Sequence, residues 1–270
     1  MTEPARPALR TLIETAHTLA DASGKAILPY FRKQLDIENK ASDGKPLDPV
    51  TQADRAAERV IRRHLAKAHP DHGIVGEEYG IAAGQSDFTW VIDPIDGTKA
   101  FITGAPLWGT LIGLKHGADA VFGLMNQPFT GERVWSGDKG STWRLPSGKT
   151  TRLTTRKCAR LEDAVLATTS PDLLQKGFET EAFVETKARA RMTRYGGDCY
   201  GYCLLAAGHI DLILECGLKP YDVVALIPII ERAGGRMTTW DGRPATEGGR
   251  IIAAGDPKLH DMMLRRILKR

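Results

Sequence analysis

The chain has 270 residues, 42% hydrophobic and 26% charged, a composition that excludes disordered and collagen-like chains and fits an ordinary globular protein. Its 37 basic and 33 acidic residues leave a net charge of +4, spread along the chain, which excludes the clustered basic footprint of a nucleic-acid binder. The longest apolar stretch, Val223 to Ile230, is too short to span a bilayer, and no apolar segment follows the N-terminal charges as it would in a secretory signal, so a soluble cytoplasmic protein is expected.

Leu9, Leu12, Ile13, Ala16, Leu19, Ala20 and Ile27 recur at helical spacing and predict a helix over residues 8–28, ended by Pro29. Residues 36–50, which carry Lys40 and Lys45, read as a polar loop. A second helix over 51–68 turns Ala53, Ala57, Val60, Ile61 and Leu65 inward and opens on the capping box Thr51-x-x-Asp54. His64, His69 and His72 gather around its end and are expected on the solvated surface. Strands are predicted at Thr89–Ile92, Leu107–Lys115 and Val121–Gln127.

From Ser147 the texture alternates. Strands are predicted at Ala164–Thr168, Arg191–Tyr195, Ile210–Glu215, Gly235–Thr239 and Arg250–Ala254, with helices at 172–188, 198–208, 222–233 and 256–268. The change suggests an α+β domain over 1–149 and an α/β domain over 150–270. Cys158, Cys199, Cys203 and Cys216 form no C-x-x-C pair and read as reduced thiols, Cys199 and Cys203 as small buried hydrophobes. Arg265, Arg266, Lys269 and Arg270 read as cations complementing a helix C-terminus.

No G-x-S-x-G elbow and no G-x-G-x-x-G loop is present. Ser147-Gly148-Lys149-Thr150 resembles the end of a phosphate loop but has Trp143 where the leading glycine belongs. The strongest local signal is Trp90-Val-Ile-Asp93-Pro-Ile-Asp96-Gly-Thr98, an apolar strand running into two aspartates three apart. A plain hairpin turn at Asp96-Gly97 needs neither Asp93 nor Pro94. Paired carboxylates at a strand end suit a hard cation, and Gly97-Thr98 can open a helix whose free N–H groups meet an anion. Glu77, Asp54 and Asp222 each also have a structural explanation, as surface acid, capping-box acid and helix-start acid respectively.

Taken together, Val50-Thr-Gln-Ala-Asp54, Gly76-Glu77-Glu78, Asp93-Pro-Ile-Asp-Gly-Thr98, Tyr221-Asp222-Val-Val-Ala225 and Glu231-Arg-Ala-Gly-Gly235 resemble the inositol monophosphatase family in order and spacing. Tyr221 departs from the family's usual tryptophan but remains aromatic. The resemblance implies an α/β fold, a layered α-β-α-β-α sandwich of the inositol monophosphatase/fructose bisphosphatase type, usually a homodimer. It further implies hydrolysis of a small phosphate monoester with two or three Mg²⁺ per active site. Glu77, Asp93 and the Ile95 carbonyl would hold one ion, and Asp93, Asp96 and Asp222 a second. Asp96, Gly97 and Thr98 would receive the phosphate. Asp54 would hydrogen-bond Thr98 and, with Glu77, orient the attacking water. The charge balance agrees: two carboxylates about 4 Å apart repel by roughly 4 kcal/mol at an effective dielectric of about 20, so such a cluster calls for cations.

Within the family, inositol-cleaving members typically place Gly-Thr-Ala where this chain has Gly196-Gly197-Asp198. The segment Arg194-Tyr-Gly-Gly197-Asp198-Cys-Tyr200 resembles the histidinol-phosphate phosphatase branch. That resemblance implies a substrate with an ammonium and an imidazole, read by Arg194, Gly197, Asp198, Glu215 and Asp222. The plain alternatives are a helix N-cap for Asp198 and an exposed strand-end acid for Glu215.

Overall fold

A computed structural model describes residues 6–35, 37–39 and 49–268. Lys40, Lys45, Lys269 and Arg270 lie outside the described residues. The ends of the expected 36–50 loop are not irregular, because β1 (Ile37–Asn39) and β2 (Pro49–Thr51) pair antiparallel.

The first large sheet has eight strands, β3 (Gly73–Gly76), β4 (Gly80–Ala82), β5 (Phe88–Asp96), β6 (Gly109–His116), β7 (Asp119–Gln127), β8 (Glu132–Gly137), β9 (Gly140–Arg144) and β10 (Thr150–Arg152). Their order across the sheet is β10-β9-β8-β7-β6-β5-β3-β4. The second sheet contains β11 (Val165–Thr168), β12 (Met192–Tyr195), β13 (Leu212–Leu218), β14 (Arg236–Thr239) and β15 (Gly249–Ala254), in the order β12-β11-β13-β15-β14.

Side chains on a strand alternate between faces, and each sheet here is apolar on both. Helices α1 (Arg6–Ile27) and α2 (Gln52–Ala68) cover one face of the first sheet, where Leu12, Leu19, Ile61 and Leu65 meet Trp90, Ile92, Ile112 and Leu124. The opposite face, with Leu111, Met125 and Val134, packs on α5 (Asp198–Ala206) and α7 (Leu226–Arg232). Those two helices are in turn covered by Ala167, Ile213, Ile251 and Ala253 of the second sheet. The outer face of that sheet, including Leu166, Leu212 and Ile252, is closed by α4 (Phe178–Arg189) and α8 (Pro257–Leu268). The result is the expected five-layer α-β-α-β-α sandwich. Two short helices are α3 (Thr98–Ile102), which follows β5, and α6 (Pro220–Val223), which follows β13.

The first layer is pinned by a polar node. The buried Arg133 guanidinium donates to Asp21 Oδ1 at 2.5 Å and to Asn126 Oδ1 at 2.8 Å, and approaches His17 Nδ1 at 3.2 Å. Burial and the adjacent Arg133 charge push His17 down to about 4.

Several elements differ from the sequence reading. The helix predicted over 172–188 begins at Phe178, because Gly177 adopts φ +89° and residues 171–173 form only a 3₁₀ turn. The helix predicted over 222–233 is split into α6 and α7. Pro228 has no N–H to give the Val224 carbonyl, so it is accommodated only in the first turn of a new helix. Val60 is half-buried rather than inward, its place in the inward stripe taken by Glu58. His64 is exposed as expected, but His69 and His72 stack at 4.6 Å and His72 accepts from Trp90 Nε1 at 3.1 Å. All four cysteines are free and buried. Among the described residues no helix is long and apolar enough to cross a membrane.

Candidate active site

Strand alternation turns Trp90 and Ile92 toward α1 and α2, so Val91 and Asp93 face the middle layer. The register of β5 against β6 then shifts between Asp93 and Asp96, a bulge that brings a second carboxylate to the same end of the strand. Asp222 reaches them from the first turn of α6, where it also accepts the Lys219 N–H at 2.6 Å. Each of the three aspartates offers a carboxylate oxygen within 4.8 Å of the others'. The trio joins the ends of two elements far apart in sequence.

Burial pushes Asp93 and Asp96 well above the carboxylate range, Asp93 further by Glu77, Asp96 and Asp222, and Asp96 further by Asp198 and Asp222. Asp222 is pushed up to about 7, again chiefly by burial, with Glu77 and Glu215 adding repulsion. Asp93 is 2% exposed, and its Oδ1 has no hydrogen-bond partner. A buried, unpartnered carboxyl oxygen beside two further acidic groups is a donor set for a hard cation, since Mg²⁺ takes oxygen ligands and favours their ionised forms. The residues fit the group.

Glu77 follows β3 and is close enough to act on Asp93, Asp222 and Asp54. Its N–H donates to the Ile92 carbonyl at 3.2 Å, which ties it to β5. Asp54 forms the predicted capping box: its Oδ2 accepts from Thr51 N–H at 2.9 Å and from Thr51 Oγ1 at 2.6 Å. Its Oδ1 is buried without a partner, and burial pushes the group up to about 6 despite the Thr51 bonds. The expected hydrogen bond from Asp54 to Thr98 is therefore not formed. Thr98 Oγ1 instead donates to the Ile95 carbonyl at 3.1 Å, a turn-closing bond within its own segment.

Gly97 caps α3 with φ +85°, a left-handed conformation glycine adopts without strain. A cavity of about 380 Å³ opens here, lined among others by Glu77, Asp96, Gly97, Thr98, Asp198 and Asp222. Asp198 is not the N-cap of α5. That position is Gly197, no side chain caps the helix, and Asp198 itself has φ +44°, an unusual conformation outside glycine. Burial and Glu215 push Asp198 up to about 7, while Lys99 pulls the other way. The next amide, Cys199 N–H, donates to Asp96 Oδ2 at 2.5 Å.

Glu215 is not a surface acid. It is 4% exposed, its Oε1 accepts from Thr169 N–H at 2.7 Å and its Oε2 from the Tyr202 hydroxyl at 2.8 Å. Asp198, Glu215 and Thr169 are shared with an adjoining cavity of about 270 Å³, mostly apolar, and it is this second cavity that Arg194 and Gly197 line. Glu58, Thr169, Tyr202 and Lys99 were not singled out in the sequence. Only Glu58 carries a readable signal, an acid four residues after Asp54 on the inward face of α2.

A five-layer α/β sandwich with the acidic trio Asp93, Asp96 and Asp222 is the arrangement expected of a metal-dependent phosphoric monoester hydrolase. The chain belongs to the inositol monophosphatase family, whose model matches residues 8–269. It is 42% identical over 259 residues to the chloroplastic bifunctional phosphatase IMPL2 of Arabidopsis thaliana, covering 92% of this chain and 72% of the relative. It is 37% identical to the histidinol-phosphatase of Streptomyces coelicolor, covering 93% of this chain and 95% of that one. Among solved structures, an inositol monophosphatase from Zymomonas mobilis superposes with a TM-score of 0.84 at 42% identity, covering 97% of this chain and 99% of that one. The family's phosphatases depend on Mg²⁺, and Asp93, Asp96 and Asp222 could hold such an ion.

Proposed function

We propose that this protein is a histidinol-phosphatase, hydrolysing L-histidinol phosphate to L-histidinol and inorganic phosphate in histidine synthesis. The observation that carries the reading is the pair Asp198 and Glu215, a half-buried and a buried carboxylate beside the trio on the wall shared by both cavities. An uncharged polyol gives such a pair no compensating charge, whereas an ammonium and an imidazolium do. The relationship to histidinol-phosphatases at 37% identity and nearly full length supports the same substrate.

In this reading Glu77, Asp93 and the Ile95 carbonyl would hold one Mg²⁺, and Asp93, Asp96 and Asp222 a second. Bound Mg²⁺ supplies a water of lowered pKa and offsets charge on the phosphate oxygens. Asp54, pushed up to about 6 with its Oδ1 unpartnered, and Glu77 beside it would orient the attacking water. The Gly97 and Thr98 amides and the Thr98 hydroxyl would donate to the phosphate oxygens, and Asp96 would meet the phosphate through the cation it holds. Arg194, Gly197, Asp198, Glu215 and Asp222 hold the organic half of the ester. We also propose a cytoplasmic homodimer, which light scattering tests.

A second reading, an inositol-phosphate phosphatase, is favoured by the 42% identity to the Zymomonas mobilis protein. Phosphate release measured side by side decides. A kcat/KM for histidinol phosphate at least tenfold above that for inositol phosphate is expected, and equal or reversed values overturn the first reading.

A further inference from the structure

Glu58 lies on α2 one turn after Asp54, fully buried, in a segment where a carboxylate has no apolar reason to be. Both of its oxygens are engaged with the turn that carries Glu77. Oε2 accepts the Glu78 N–H at 2.7 Å, and Oε1 accepts the Tyr79 N–H at 3.2 Å. Arg62, one turn further along α2, donates Nε to Glu58 Oε1 at 2.8 Å and Nη2 to the Gly80 carbonyl. Before Glu77, the chain passes so close that a Cβ on Gly76 would stand 2.0 Å from Glu58 Oε1. Gly76 is therefore required by Glu58 itself.

Glu77 is thus held on both sides. Its own N–H is tied to Ile92 of β5, the strand that supplies Asp93, and the two amides after it are tied to Glu58. A carboxylate accepting two backbone N–H groups and a guanidinium forms charge-assisted bonds, stronger than neutral ones and fixed in direction. The same helix also carries Asp54. One rigid element consequently sets the spacing of Asp54 and Glu77, a spacing that a free loop after β3 would not keep.

We infer that Glu58 is a positioning residue, which through the Glu78 and Tyr79 amides holds the Glu77 carboxylate in place for the cation that Glu77 and Asp93 bind. This rests on the reading of Glu77 as a metal ligand in a Mg²⁺-dependent phosphatase. Groups that orient a metal's direct ligands typically change metal affinity 10- to 100-fold when replaced.

The test is Mg²⁺ binding by calorimetry on the full chain, in the wild type, E58Q, E77A and the double variant, with hydrolysis measured separately. Glutamine keeps the shape of Glu58, but its NH₂ group cannot accept an amide N–H. In E58Q the Mg²⁺ Kd should rise about tenfold or more, whereas KM for the ester at saturating Mg²⁺ should stay within about twofold. In the E77A background the same change should move Kd by less than about twofold, because the carboxylate being positioned is gone. An unchanged Kd in E58Q, or an equal loss with and without Glu77, overturns the inference and leaves Glu58 a structural clamp. If E58Q does not fold, R62Q carries the test, with a rise of about threefold expected and no rise overturning it. A Kd unaffected by E77A also overturns it, whatever hydrolysis reports. A wild type that binds Mg²⁺ in a Glu77- and Glu58-dependent way but hydrolyses no phosphate ester would sink the phosphatase reading and leave this one standing.

Discussion

The Asp198 carboxylate lies directly against the α-carbon of Gly97, where a Cβ would stand 2.9 Å from Asp198 Cγ. This contact couples the start of α3, proposed to receive the phosphate, to the start of α5, proposed to meet the organic part of the substrate. Gly97→Ala meets two obstacles, the displaced Asp198 and a left-handed backbone that costs an L-residue roughly 1–2 kcal/mol. Turnover should fall tenfold or more and Tm by a few degrees, read by phosphate release and thermal melting. A variant with wild-type turnover would mean that Asp198 and Gly97 need not touch.

Asp222→Asn removes one charge from the trio. Turnover should drop below about a tenth of wild type, yet the metal-free protein should melt a few degrees higher, because repulsion is relieved. Asp222 is pushed up to about 7, so the comparison belongs at about pH 8, where the wild-type group is ionised. Without metal, a Tm at or below that of the wild type argues against a repulsive cluster.

The proposed substrate reading predicts a contrast between esters. Asp198→Asn should lower kcat/KM for histidinol phosphate roughly 10- to 150-fold, the equivalent of about 1.5–3 kcal/mol for a hydrogen bond to a charged group. Hydrolysis of a neutral aryl phosphate should barely change. Glu215→Gln keeps its amide oxygen for the Thr169 N–H and turns its NH₂ toward the Tyr202 hydroxyl, which must change from donor to acceptor. Equal losses on both esters for Asp198→Asn would make Asp198 structural.

Far from the site, His17 sets a pH dependence of stability. Its folded value of about 4 lies below the 6.5 of an unfolded histidine, so the unfolded chain takes up the proton first. The stability tied to neutral His17 is complete above about pH 6.5 and is lost as pH falls from 6.5 toward 4. In His17→Gln the decline of Tm over that window should be shallower, though not absent, because His260 is also held down to about 4. Identical slopes in the two proteins would show that the fold does not move His17 from its ordinary value.

The long helices were legible because α1 and α2 each bury one face, which imposes a 3.6-residue period. Asp93 and Asp96 were legible because strand and turn chemistry meet in one short run. The hairpin β8–β9 was not, since Ser136, Gly137, Ser141 and Thr142 carry no apolar alternation and no strand was predicted there. They are strand residues because α7 covers them: Ser141 Oγ donates to the Ile229 carbonyl, and Arg232 donates to the Gly137 carbonyl. The same holds for the hands that grip the site. Tyr202 on Glu215 and Glu58 on the Glu77 turn are contacts between elements, and periodicity within one element carries no information about them.

The trio draws Asp93 and Asp96 from one strand and Asp222 from a short helix more than a hundred residues later in the chain. No fragment ending before α6 contains all three carboxylates, and no intermediate that has built the first sheet but not docked α6 can chelate with all of them. An ion bound by all three selects the completed fold over every earlier state and stabilises it in proportion to the logarithm of its concentration. Mg²⁺ would then act as an assembly checkpoint, bracing the finished molecule against proteases while leaving partial ones open to them.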